Sequence, residues 1–203
     1  MFALRDLARR AALCTFLAGS ALLGGCASVY LDGTTKEVQA SQFKKPASPA
    51  PVQLLFEFQT KGVANAQATA MLRDRVVDQV KASGLFSEVG SNAVPSGALL
   101  TITLNNVPLT DNAFSKGFVT GLTFGLAGSQ VSDGYVCTAN YHATRDSATV
   151  IKQARHAIHT TVGAAATPGN ATKMSNGKEA AYLMTQQVVS NVLNDLSQDA
   201  NFK

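Results

Sequence analysis

The stretch "VQLLFEFQTKGVANAQATAMLRDRVVDQVKASG", residues 52–84, decides the fold. Val52, Leu54, Phe56 and Phe58 alternate with Gln53, Glu57 and Gln59, the period of a strand with one buried face. The period then changes. Ala68, Leu72, Val76 and Val80 recur at helical spacing, with Arg73, Asp74, Asp78 and Lys81 elsewhere around the axis. Asn65 stands where an N-cap is needed, and Gly84 where a helix stops in the left-handed conformation. A strand and a helix, each apolar on one side only, must bury those sides against another layer.

Toward the C-terminus, "LFSEV" reads as a short strand and "ALLTITLNN" as the most β-branched one. "YVCTANYHATR" and "ATVIKQARHAIHTTV" form a hairpin through "RDSA". Tyr135, Cys137, Ala139, Tyr141 and Ala143 share one strand face, and Val136, Thr138, Asn140 and His142 the other. "GAAATPGNATKMSNG" reads as loop. "KEAAYLMTQQVVSNVLNDLSQ" reads as a closing helix whose buried stripe is Ala181, Met184, Val188, Val192 and Leu196. The order predicts one α+β domain over residues 52–203, a two-layer sandwich of a mostly antiparallel sheet with two helices on one face. Toward the N-terminus, residues 26–51 carry Pro46, Pro49 and Pro51 among Ala, Ser and Lys, and read as a flexible tether in which "SVYL" could pair with a sheet edge.

The chain begins "MFALRDLARR", where Arg5, Arg9 and Arg10 outweigh Asp6, and continues into the uncharged apolar run Ala11–Leu23. Such a run is short of the roughly 20 residues that cross a bilayer. A basic head, a short apolar middle and a small-residue exit make a secretory signal over residues 1–25. The exit is Leu23-Gly24-Gly25-Cys26, which resembles the lipobox of bacterial lipoproteins. The resemblance implies cleavage before Cys26 and acylation of its thiol, with palmitate-type chains that bind the membrane stably when two or more are present. Ala27 in the next position resembles the outer-membrane default of that family, with the domain facing the periplasm. A plain signal peptide with an incidental cysteine is the other reading.

The element order of residues 52–203 resembles a group of small envelope lipoproteins: helix, "SGLFSEV", a strand such as "ALLTITLNN", a long hairpin and a last helix. The group includes the lipopolysaccharide-assembly lipoprotein, activators of cell-wall synthases and auxiliary lipoproteins of envelope transporters, with domains similar to the amino-terminal domain of TolB. The resemblance implies scaffolds and partners rather than enzymes, and it supplies no catalytic residue.

The formal charge of +4 falls to +2 once the signal is removed, so the basic balance is partly a targeting feature and gives no case for nucleic-acid binding. With Cys26 acylated, Cys137 is the one remaining thiol of the mature chain, either buried or paired between molecules. His142, His156 and His159 sit in the hairpin, and the opposite parity of His156 and His159 sends them to opposite faces. No CxxC or HExxH spacing accompanies them, so no metal and no cofactor is expected. There is no G-x-S-x-G elbow, P-loop or dinucleotide fingerprint.

One segment stands apart. Gly117, Gly121 and Gly125 are four residues apart, with Phe118, Val119, Leu122, Phe124 and Leu126 between and after them. On a helix these glycines would let another backbone approach closely. The segment is either a Gly-rich connection between strands or a contact for a partner or the membrane face. The sequence therefore predicts a non-enzymatic, lipid-anchored envelope protein acting through protein contacts. A periplasmic binder of a lipid or glycan is the alternative.

Overall fold

The computed structural model describes residues 27–109, 124–125 and 128–202. In chain order the elements are β1 (Ser28–Asp32), a 3-10 turn (Ala40–Gln42), β2 (Val52–Thr60), β3 (Val63–Ala64), α1 (Ala66–Ala82), β4 (Val89–Gly90), β5 (Leu99–Pro108), β6 (Phe124–Gly125), β7 (Gly128–His142), β8 (Val150–Val162), β9 (Ala171–Met174) and α2 (Gly177–Ser197). They make one sheet in the order β3-β2-β5-β7-β8-β1-β9, with β4 also beside β2 and β6 beside β7. β2 runs parallel to β5 and to β4, and every other pairing is antiparallel. Both helices cover the same face, so the expected α+β sandwich is the observed one.

The strand-to-helix change at residue 60 builds a β-α-β unit. β2 buries Leu54, Phe56 and Phe58 toward α1, and the crossover places β5 alongside, with Phe56 opposite Ile102 and Ile102 opposite Ala139. Asn65 Oδ1 accepts the Ala68 N–H at 3.0 Å, and Gly84 lies at φ +68° just past the helix end. Thr69 takes the buried position expected of Ala68. Its Oγ1 accepts the Phe58 N–H at 2.9 Å and donates to the Asn65 carbonyl at 2.8 Å, tying α1 to β2. α2 is capped by Asn176, whose Oδ1 accepts the Glu179 N–H at 2.9 Å. It buries Ala180 rather than Ala181, together with Met184, Val188, Val192 and Leu196.

Two expectations are corrected. Residues 32–44, read as part of a tether, belong to the fold, and "SVYL", read as able to pair with a sheet edge, pairs on both sides instead of at an edge. β1 lies inside the sheet between β8 and β9, with Leu31 opposite Ile158 on one side and Thr172 on the other. From there the chain runs along α2. The Val38 N–H donates to Ser190 Oγ at 3.0 Å, Asn191 Nδ2 to the Lys36 carbonyl at 2.7 Å, and the Lys44 N–H to Ser197 Oγ at 3.1 Å. Leu31 and Phe43 join the main core, each burial contributing on the order of 1.5–3 kcal/mol. Val29, Tyr30 and Leu31 are consecutive, and Val38 and Phe43 stand apart from them, so they carry neither strand nor helix period and the pairing is written in tertiary structure rather than in local pattern. For the same reason Ala171–Met174, read as loop, is β9, held by β1.

His156 fastens β8 to α2. Its ring is fully buried, with Nε2 2.6 Å from Gln187 Oε1 and Nδ1 2.9 Å from the Ala157 N–H. A neutral ring donating from Nε2 and accepting at Nδ1 satisfies both contacts. Burial lowers its pKa from 6.5, outweighing the hydrogen bonds that act to raise it.

Two outcomes follow. A fragment of residues 52–203 lacks β1 and leaves β9 without a partner, so it shows no cooperative thermal transition, whereas residues 27–203 do. Because unfolding releases His156 to an ordinary imidazole near pH 6.5, the unfolded chain takes up the proton first. Stability is therefore level above that pH and declines as the pH drops below it. His156→Gln removes that part of the decline, read as Tm against pH between 8 and 5.

Candidate interaction site

β2 is an edge strand that is only partly covered. On its side away from β5, β4 pairs with Val52 and Gln53, and β3 with Gln59 and Thr60. Phe58 is closed by Thr69 Oγ1 and by the Asn65 N–H, which reaches its carbonyl at 2.8 Å. Among the described residues no strand pairs with Leu54–Glu57 on that side. The Val52 N–H points toward β4, reaching the Glu88 carbonyl at 2.9 Å, and the Gln53 N–H points the other way, to the Ala98 carbonyl. Strand alternation then directs the Phe56 main chain to the open edge. Arg73, Val77 and Lys81, four residues apart on α1, stand beside this gap. With Leu54, Leu55 and Val89 they line an open groove of about 480 Å³. Leu55 itself is 44% exposed on the other face of the sheet. An unpaired strand edge with an apolar floor and two cations at its rim can accept an extended segment carrying carboxylates.

A second groove, about 470 Å³, runs between the N-terminal arm and the two helices. Val38, Phe43 and Ala82 are on its apolar side. Asp78, Arg75 and Tyr182 are on its polar side, where the Arg75 guanidinium lies 3.7 Å from the Tyr182 ring centroid. Its walls are tied together by Gln79 Nε2 donating to the Gln186 carbonyl at 2.7 Å and Gln186 Nε2 donating to Glu37 Oε1 at 2.9 Å. It is open to solvent, not an enclosed chamber in the core.

On the face of the sheet away from the helices, three side chains that the sequence left apart come together. Ser132 Oγ is 2.7 Å from His159 Nδ1, and His159 Nε2 is 3.3 Å from Asp32 Oδ2. The set has the composition of a hydrolytic triad without its access. Ser132 is 5% exposed, His159 2% and Asp32 9%, and neither groove is lined by any of them. Asp32 Oδ1 also accepts from the Thr34 main chain at 2.8 Å and from the Thr34 hydroxyl. Burial acts to raise the Asp32 carboxyl, but the Thr34 and His159 hydrogen bonds outweigh it and hold the group below the usual carboxylate range. Beside this set, Leu109 packs on Gly134 and Ala157. A Cβ on Gly134 would meet Leu109 Cδ2 at 2.6 Å. The arrangement locks β1 to β8. Nothing in the sequence spacing of residues 32, 132 and 159 foretells it.

The sequence-derived site residues Leu23, Gly24, Gly25, Cys26, Gly117, Phe118 and Gly121 lie outside the described residues. Phe124 and Gly125 form β6, antiparallel to the start of β7, with Phe124 opposite Ser129 and Gly125 opposite Gly128. His142 and His156 lie on different faces from each other, as do His156 and His159. Cys137 is a buried free thiol, pushed up to about 12 by burial. No helix of the described residues is long and apolar enough to cross a membrane.

No family model matches the chain, and no curated protein matches it. Among solved structures, the chain is similar to a candidate neuraminyllactose-binding hemagglutinin homolog from Helicobacter pylori (11% identity, 78% of this chain and 89% of that one, TM-score 0.40). It is similar to the PelC dodecamer from Paraburkholderia phytofirmans (10% identity, 83% and 96%, TM-score 0.34). It is also similar to a candidate lipoprotein from Caulobacter crescentus (12% identity, 72% and 87%, TM-score 0.27). Likeness at these values assigns neither a family nor an activity to the chain.

Proposed function

We propose that the protein is a non-enzymatic, lipid-anchored component of the bacterial cell envelope, held at the outer membrane through Cys26 and facing the periplasm. It acts as an accessory or assembly subunit by binding another envelope protein. The anchor reading rests on the basic head, the short apolar run and the Leu23-Gly24-Gly25-Cys26 exit. The binding reading rests on one observation, the uncovered stretch of β2 at Phe56 with Arg73 and Lys81 beside it. An edge strand left open in a folded domain is a template for another strand. The two cations select a segment with carboxylates.

A second reading, a binder of a lipid or glycan, is favoured by the groove between arm and helices, whose size lies within the roughly 300–1,000 Å³ of small-molecule sites. Native mass spectrometry of protein extracted from membranes separates the two. A stoichiometric small-molecule adduct supports the binder, and a mass equal to the acylated chain supports the subunit.

A photo-crosslinking amino acid at Leu55, beside the open edge, yields one reproducible protein adduct in intact cells. The double charge reversal Arg73→Glu/Lys81→Glu lowers the adduct at least tenfold and leaves Tm within a few degrees, because both side chains are exposed. An adduct that survives the reversal, or none at all, removes the β2 edge from the function. Separately, Cys26→Ser abolishes metabolic labelling with palmitate and moves the protein out of the membrane fraction.

A further inference from the structure

The place of β1 fixes how the domain stands on its anchor. Resting on the acylation of Cys26 proposed above, we infer that the end of the sheet carrying Ser28, Val131 and Val162 lies against the lipid surface, so that the domain sits on the membrane instead of hanging from a tether.

β1 begins at Ser28, two residues after Cys26. Two residues span at most about 7 Å, no more than about the thickness of one headgroup layer. Ser28 is opposite Thr161, and Thr161 is opposite Gln130. The N-terminus of β1, the last residues of β8 and the first residues of β7 therefore share one end of the sheet. Met174, at the end of β9, is opposite Val29 and brings the start of α2 to the same end.

Among the Ser, Thr and Gln residues of this end stand two exposed valines. Val131 is 47% exposed and Val162 40%. Val131 is opposite Thr160, while Val162 is opposite Ser129, so the two valines are diagonal neighbours on one face. Lys178, exposed in the first turn of α2, adds a cation suited to anionic headgroups. The opposite end of β8, about 40 Å away at 3.3 Å per residue, carries the Thr144–Ser147 turn and points to the periplasm. An anchor two residues long, exposed valines beside it and no intervening linker all favour the lipid surface as the occupant of this end.

The chain has no Trp, so Val162→Trp and Ala148→Trp each introduce a single fluorophore, one at either end of the hairpin. The acylated variants are reconstituted into phosphatidylethanolamine/phosphatidylglycerol vesicles containing a headgroup-nitroxide lipid. Trp at position 162 is expected to be quenched at least threefold more strongly than Trp at 148. Insertion of a twelve-residue Gly/Ser linker between Ala27 and Ser28 removes the difference while flotation with the vesicles persists. Equal quenching at both positions in protein that floats overturns the orientation and leaves the anchor standing. Protein that does not float overturns the anchor and the orientation together.

Discussion

The bond between His159 on β8 and Asp32 on β1 joins two points of the chain that are 127 residues apart, and the outer part of the sheet depends on it. Among the described residues β9 pairs with the sheet through β1, so whatever holds β1 holds β9 and, behind it, the entry into α2. The bond is buried, which gives it consequence. Removing either partner leaves a polar group without water or a substitute, at a cost of about 1–3 kcal/mol. Thr34 secures the other oxygen of the carboxylate and Ser132 the other nitrogen of the ring. The whole set is thus satisfied, as a buried polar network must be if it is to specify one arrangement. Its resemblance in composition to a catalytic triad follows from the same requirement: an imidazole between an acid and a hydroxyl is a compact way to satisfy all three.

Local pattern carried the first half of the fold and failed where pairing is distant. The alternation Val52-Leu54-Phe56-Phe58 and the stripe Leu72-Val76-Val80 are each dictated by a period inside one element, and each appears in the structure as read. The caps Asn65 and Gly84 were legible because their chemistry is local. β1 was not legible as an inner strand: its burial comes from β8 and β9, and of "SVYLD" only Tyr30 and Leu31 are large and fully covered apolar residues. The parallel pairing of β2 with β5 was hidden for a related reason, since an intervening helix permits it but no residue encodes it. Of the functional features, the proposed acylation of Cys26 rests on sequence alone. The uncovered edge of β2 exists only once β3 and β4 are seen to stop short of Phe56.

Anchor and edge together constrain how a partner could approach. β1 lies toward one side of the sheet and β2 toward the other, separated by β8, β7 and β5. At about 4.8 Å per strand, that puts the open edge roughly 19 Å to the side of β1. In the proposed orientation, with one sheet end on the membrane, the strands rise from the lipid surface, and a segment added to β2 rises beside them. The partner segment would therefore lie beside the domain at the same height above the membrane. It would belong to a neighbour on the same surface more readily than to a protein spanning the periplasm from the far side. An anchor on a long tether would impose no such restriction, because the edge could then face in any direction. The insertion of β1 into the sheet completes the core, and under the proposed acylation of Cys26 it also turns a flexible attachment into an oriented one.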